Sequence, residues 1–134
     1  MNIAILGIRG THLDTAERDK AFETIMTIVD KFAIPNLKLM TMRTPHGGIN
    51  AMVESYAESA KVPHEYYSYG KTLDDWKESS KLLAENCDVC FVLTTGIKKE
   101  NCHHCHDFTH ETNGGCFAMK QAKDLGKQTK LIIL

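Results

Sequence analysis

The chain has 134 residues, 43% of them hydrophobic and 25% charged, with a formal net charge of −1 at pH 7. That length supports one domain, residues 1–134, with a full core and no need of staples. The balanced charge excludes a general electrostatic footprint for nucleic acid or an anionic membrane, and the odd count of five cysteines argues against a complete disulfide framework.

NIAILG, residues 2 to 7, is a short apolar run ending in glycine, the pattern of a central parallel strand buried on both faces. Residues 14 to 32 follow with Phe22, Ile25, Met26, Val29 and Phe32 at helical spacing, and Asp14 or Thr15 can cap this helix. Pro35 and Asn36 end the connection, and LKLMTM, residues 37 to 42, reads as a second strand. After Arg43-Thr44-Pro45-His46-Gly47-Gly48, a second helix shows Ile49, Met52, Val53, Tyr56, Ala57 and Ala60 on one face. PHEYYS, residues 63 to 68, is a weaker strand expected at an edge. Thr72 with Asp75 three residues on suggests a capped helix whose apolar face carries Leu73, Trp76, Leu82 and Leu83. Trp76 reads as a core or pocket-wall residue.

DVCFVLT, residues 88 to 94, is hydrophobic throughout and therefore central. Cys87 and Cys90, three positions apart on that strand, are expected to face opposite sides, with Cys90 in the core. A last helix carries Phe117, Ala118, Ala122 and Leu125 and closes at Gly126. KLIIL, residues 130 to 134, is the final strand. The alternation implies an α/β, three-layer Rossmann-like domain: a mostly parallel sheet of about five strands with helices on both faces.

Between the fourth strand and the last helix lies NCHHCHDFTHETNGGC, residues 101 to 116. Cys102, Cys105, His110 and Cys116 supply three thiolates and one imidazole, the ligand inventory of a tetrahedral zinc site. The spacing is one residue longer than the C-x2-C-x4-H-x4-C of a zinc knuckle. His103, His104, His106 and Asp107 offer further donors that spacing does not rank. Zinc is thus the expected cofactor, and no residue pattern assigns an organic one.

In an open doubly wound sheet, ligands bind beyond the carboxyl ends of the strands where the strand order reverses. The loops expected there are Gly7 to His12, Arg43 to Asn50, and Thr94 to Cys116. The glycine pairs Gly47-Gly48 and Gly114-Gly115 can bring backbone N–H groups to an anion at a helix start. Arg9 and Arg43 can pair with phosphate, and His12 and His46 are candidates for proton transfer. Glu54 lies four residues after Asn50 on nearly the same helix face. The start MNIAILGIRG has no basic segment ahead of an apolar core, and no apolar run has the length to span a bilayer, so a cytoplasmic location is expected.

These residues resemble the SLOG superfamily, the Rossmann-like group that includes the DNA-processing protein A core and the LOG phosphoribohydrolases. IAILGIRG is similar to the family's first strand ending in glycine and arginine. GINAMVESYAESAKVP, residues 48 to 63, resembles the pattern G-A-D-x-L-A-x-x-Y-A-x-x-x-G-I-P, with Asn50 where many members carry Asp. NGGCFAMKQAKDLGK, residues 113 to 127, resembles G-G-T-x-x-A-x-x-x-A-x-x-x-G-K, with Cys116 at the Thr position. The resemblance implies binding of a nucleotide or nucleotide-derived ligand through Gly7, Arg9, Arg43, Gly47, Gly48, Asn50, Gly114 and Gly115, with a homodimer by analogy. N-glycosidic hydrolysis, if present, would fall to Glu54 and His46. The P-G-G-x-G-T-x-x-E motif of the phosphoribohydrolases is not intact here, because Asn50 and Ala51 replace its third glycine and threonine. The Cys/His loop lies outside the family pattern. Other classes that the zinc ligands suggest are a zinc-knuckle-like nucleic-acid-binding module, which the near-neutral charge disfavours, and a zinc-dependent hydrolase.

Overall fold

The computed structural model describes residues 1–32, 36–45, 47–96, 102, 104, 110 and 114–134. Five strands, β1 (Asn2–Gly7), β2 (Lys38–Arg43), β3 (His64–Ser68), β4 (Val89–Thr94) and β5 (Gln128–Ile133), pair in parallel in the order β3-β2-β1-β4-β5. Four helices connect them: α1 (Thr15–Lys31), α2 (Ile49–Ser59), α3 (Leu73–Asn86) and α4 (Gly115–Asp124). The three-layer Rossmann-like domain expected from the alternation of elements is the one observed. Among the described residues no helix is long and apolar enough to cross a membrane.

The chain builds outward from β1 through β2 to β3, then returns across the sheet to place β4 on the other side of β1. With crossovers of one hand, this reversal moves the later helices to the opposite face. The core divides accordingly. Ile3 and Ile5 of β1 pack with α1 and α2, whereas Ala4 and Leu6 pack with α3 and α4. Strands β1 and β4 are buried on both faces, which is why their sequences are apolar without alternation, while β3 lies at an edge and is only half-buried.

Local signals set the helix ends. Asp14 caps α1 by accepting from Glu17 N–H at 2.7 Å, and the Glu17 carboxylate accepts in return from Asp14 N–H at 3.0 Å. Gly126, with φ +80°, closes α4 as the spacing predicts.

The helix faces depart from expectation. In α1 the buried residues are Ala21, Ile25, Ile28 and Val29, while Phe22 and Met26 are 43% and 39% exposed. Small Ala21 lets the helix approach the sheet, and the bulkier pair is turned outward. Leu73, Leu82 and Leu125 are likewise exposed. Cys87 and Cys90 do not face opposite sides. Cys87 caps α3 ahead of the strand rather than extending β4, so both thiols sit in the same α3/α4 core layer.

Removing the α1 cap by Asp14→Ala is expected to cost about 1 kcal/mol of folding stability, whereas Asp14→Asn retains most of it. Urea denaturation midpoints check this, and an unchanged midpoint for Asp14→Ala would count against the cap.

Candidate functional site

A cavity of 610 Å³ opens at the carboxyl edge of the sheet, beside the β1/β4 reversal. Its floor is Leu6, Gly7 and Met42, from the ends of β1 and β2. The β1 loop contributes Arg9 and His12, and the β2 loop contributes Thr44, Gly47 and Asn50. The loop into α3 adds Tyr69, Lys71, Thr72 and Trp76, and the loop into α4 adds His104, Gly114 and Gly115.

The two glycine-bearing loops interlock at the floor. Gly48, at φ +78°, leaves no room for a side chain: a Cβ there would lie 2.6 Å from both Arg9 C and Gly10 N. The Ile49 N–H donates to the Ile8 carbonyl at 3.1 Å, and the Gly7 N–H donates to Asn50 Oδ1 at 3.0 Å. Arg18 donates to the Gly10 carbonyl at 2.7 Å and steadies the short 3-10 turn Gly10–His12 that follows Arg9. The Asn50 amide oxygen is therefore engaged in bracing the loop, which leaves its NH2 group as the donor this side chain offers a ligand.

Arg43 and Glu54 are placed elsewhere. Arg43 Nε and Nη2 donate to Glu54 Oε1 at 3.0 and 2.8 Å, and the guanidinium lies 4.9 Å from the Tyr66 ring centroid. Both line a shallow outer hollow with Ser68 and Gly70, not the 610 Å³ cavity. The hydrogen bond to Glu54 and its charge raise the Arg43 pKa above its ordinary value. His46 and Cys105 lie outside the described residues.

Lys71 has no counterpart in the sequence reading. It enters through the loop after edge strand β3, because α3 must cross back over the sheet and brings its N-terminus to the cavity. Asp75 shapes this turn: its carboxylate accepts from the Lys71 and Thr72 N–H groups at 3.1 and 3.3 Å, and the Asp75 N–H donates to Thr72 Oγ1. The backbone hydrogen bonds from Lys71 and Thr72 hold the Asp75 carboxyl below its ordinary 3.8. The signal that could have found Lys71 is the Gly70-Lys71-Thr72 run ahead of a capped helix.

The cavity lining is electrostatically one-sided. Arg9, Lys71, His12 and His104 line it, and among the described residues no Asp or Glu does. Trp76 forms an aromatic wall with its ring 5.7 Å from His104 and 5.1 Å from Phe117.

In the same core layer as Trp76 lies a cluster that can hold a metal ion. Cys102, His110 and Cys116 are buried and offer ligand atoms all within 4.8 Å of one another. Cys116 Sγ is 4.0 Å from His110 Nε2. An antiparallel bridge between Gly96 and His110 returns the loop toward the end of β4, and Cys116 sits in the first turn of α4, whose positive end favours negative charge. None of the three donor residues lines the cavity. Cys87 and Cys90 are separate from this cluster, and burial pushes both thiols up, which suits core residues.

Comparison with family models, with curated proteins and with solved structures gives no match.

Because the folded-state value of Asp75 is depressed, its contribution is present above its unfolded value and lost as pH falls through the folded one. The thermal midpoint of the native chain should therefore fall more steeply on acidification below 3.8 than that of Asp75→Ala, with no difference in slope at neutral pH. Parallel acid limbs would remove Asp75 from the turn's energetics.

Proposed function

We propose that the chain binds a nucleotide or nucleotide-derived ligand in the 610 Å³ cavity, beside a loop stabilised by zinc. The observation that carries this reading is the lining: Arg9 and Lys71 with no carboxylate among the described residues, next to the Trp76 and Tyr69 rings. Two cations and the start of α2 suit a phosphate, and aromatic faces suit a planar base. The resemblance to SLOG-type sequences supports the same class of ligand.

Glu54 is clasped by Arg43 in the outer hollow, so it does not serve a ligand in the cavity as the carboxylate of an N-glycosidic hydrolase. Among the described residues the bases on the lining are His12 and His104. Zinc suits the cluster because two thiolates and an imidazole are three of its preferred ligands. Tetrahedral bond lengths set S···N at about 3.6 Å, a few tenths below the observed 4.0 Å. The burial of all three donors, away from the cavity lining, favours a structural ion over one that activates water.

Trp76 is the single tryptophan, so its fluorescence reports on the cavity directly. Titration with adenosine 5′-monophosphate is expected to give a saturable change in emission. Arg9→Ala and Lys71→Ala should each weaken binding ~10-fold or more, since hydrogen bonds to charged groups contribute about 1.5–3 kcal/mol. Arg43→Ala should leave the affinity within about twofold, given the small worth of an exposed ion pair. Equal weakening by all three substitutions would contradict the assignment of the cavity.

Elemental analysis of protein purified without added metal should find about one zinc ion per chain. Cys116→Ser and His110→Ala should lose it while Cys90→Ala keeps it. Metal retained in both cluster variants would rule this cluster out.

A further inference from the structure

The loop from β4 to α4 serves two places at once. Cys102, His110 and Cys116 form the metal cluster, while His104, Gly114 and Gly115 line the cavity. Each of these cavity residues lies within two positions of a metal donor: His104 follows Cys102, and Gly114 and Gly115 precede Cys116.

Side chains extend the link. His104 lies 5.7 Å from Trp76 and 6.5 Å from Phe117, ring to ring, and Phe117 directly follows Cys116 in α4. A Cβ on Gly114 would lie 3.3 Å from Trp76 Cζ2, so the indole packs on the backbone just ahead of a metal donor. Trp76 thus shares one buried core layer with Cys102 and Cys116, and Phe117 packs against that layer.

We propose that the metal and the cavity ligand are thermodynamically linked. An ion held by Cys102, His110 and Cys116 fixes His104 and the Gly114-Gly115 backbone against Trp76, and this sets the affinity of the cavity for a phosphate-bearing nucleotide. The inference rests on the nucleotide reading given above. Without the ion, the tie that it makes between Cys102, His110 and Cys116 is lost, and the ligand must order the wall at the expense of its own affinity. Linkage is reciprocal, so the nucleotide must raise the affinity for the ion by the same factor.

The test uses Trp76 emission, titrated with adenosine 5′-monophosphate in zinc-loaded protein and again after chelation. Zinc affinity is measured in parallel by chelator competition with and without the nucleotide. The expected result is a Kd on the order of tenfold higher after chelation and a matching rise in zinc affinity with nucleotide present. His104→Ala keeps all three donors and should bring both factors toward unity.

Equal Kd values with and without zinc would overturn the linkage and leave the nucleotide reading standing. An unaltered factor in His104→Ala would also overturn it, and this covers the case in which chelation merely unfolds the chain. Failure of the nucleotide to bind the zinc-loaded protein would remove both.

Discussion

The seat of α2 on the β1 loop is the constraint from which the rest of the site is measured. Two backbone segments meet there with no side chain between them. Gly48 cannot carry a Cβ against Arg9 and Gly10, and Gly7 cannot carry one against the Ile49 side chain, which such an atom would approach to 2.5 Å. The contact is held by the Ile49 N–H on the Ile8 carbonyl and by Asn50 Oδ1 on the Gly7 N–H. Each of these buried polar groups would otherwise carry a desolvation cost. The consequence is a floor set mainly by main-chain contacts, with the Asn50 side chain as a brace. Arg9 leaves it on one side and Gly47 on the other. Asn50 is suited to its place because it accepts from Gly7 as a carboxylate would, yet adds no negative charge to the cavity.

The opposite wall follows a different logic. Its rings are Trp76 of α3 and His104 of the loop after β4, and Phe117 of α4 packs against both. Packing between rings is worth far less per contact than a wrong backbone approach costs, so this wall is held by the sum of its neighbours. The cavity thus has one side set mainly by main-chain contacts and one set by side-chain packing.

The fold was legible because β1 and β4 are continuous apolar runs, a pattern that only strands buried on both faces require, and because helices fall between the strands throughout. Helix faces were less legible. Periodicity located an apolar side of α1 but not its centre, since Ala21 at the sheet counts for little in a hydrophobic pattern and exposed Phe22 counts for much. Spacing in the Cys/His loop brought together Cys102, His110 and Cys116, because ligand chemistry restricts the choices more than burial does. Lys71 escaped because the loop after an edge strand is not adjacent to the reversal point, and only the path of α3 brings it there. The pairing of Arg43 with Glu54 was equally hidden: a strand end and the second turn of the following helix can present charges either to a ligand or to each other, and sequence does not distinguish the two.

That pairing also shows how a chain of nearly neutral charge makes a cationic cavity. Two described carboxylates near this edge, Glu54 and Asp75, are engaged outside the cavity. Glu54 neutralises Arg43 in the outer hollow, so that guanidinium is already satisfied. Asp75 acts differently, because it takes the Lys71 and Thr72 backbone N–H groups, and no ion pair joins it to the Lys71 ammonium among the described residues. It positions Lys71 through the main chain while leaving the side-chain charge to the cavity. Arg9 is held in the same manner, by a turn that Arg18 braces through the Gly10 carbonyl. Of the cations lining the cavity, Arg9 and Lys71 are those that the main chain positions and that no ion pair engages among the described residues, and this is what the proposed anion would meet.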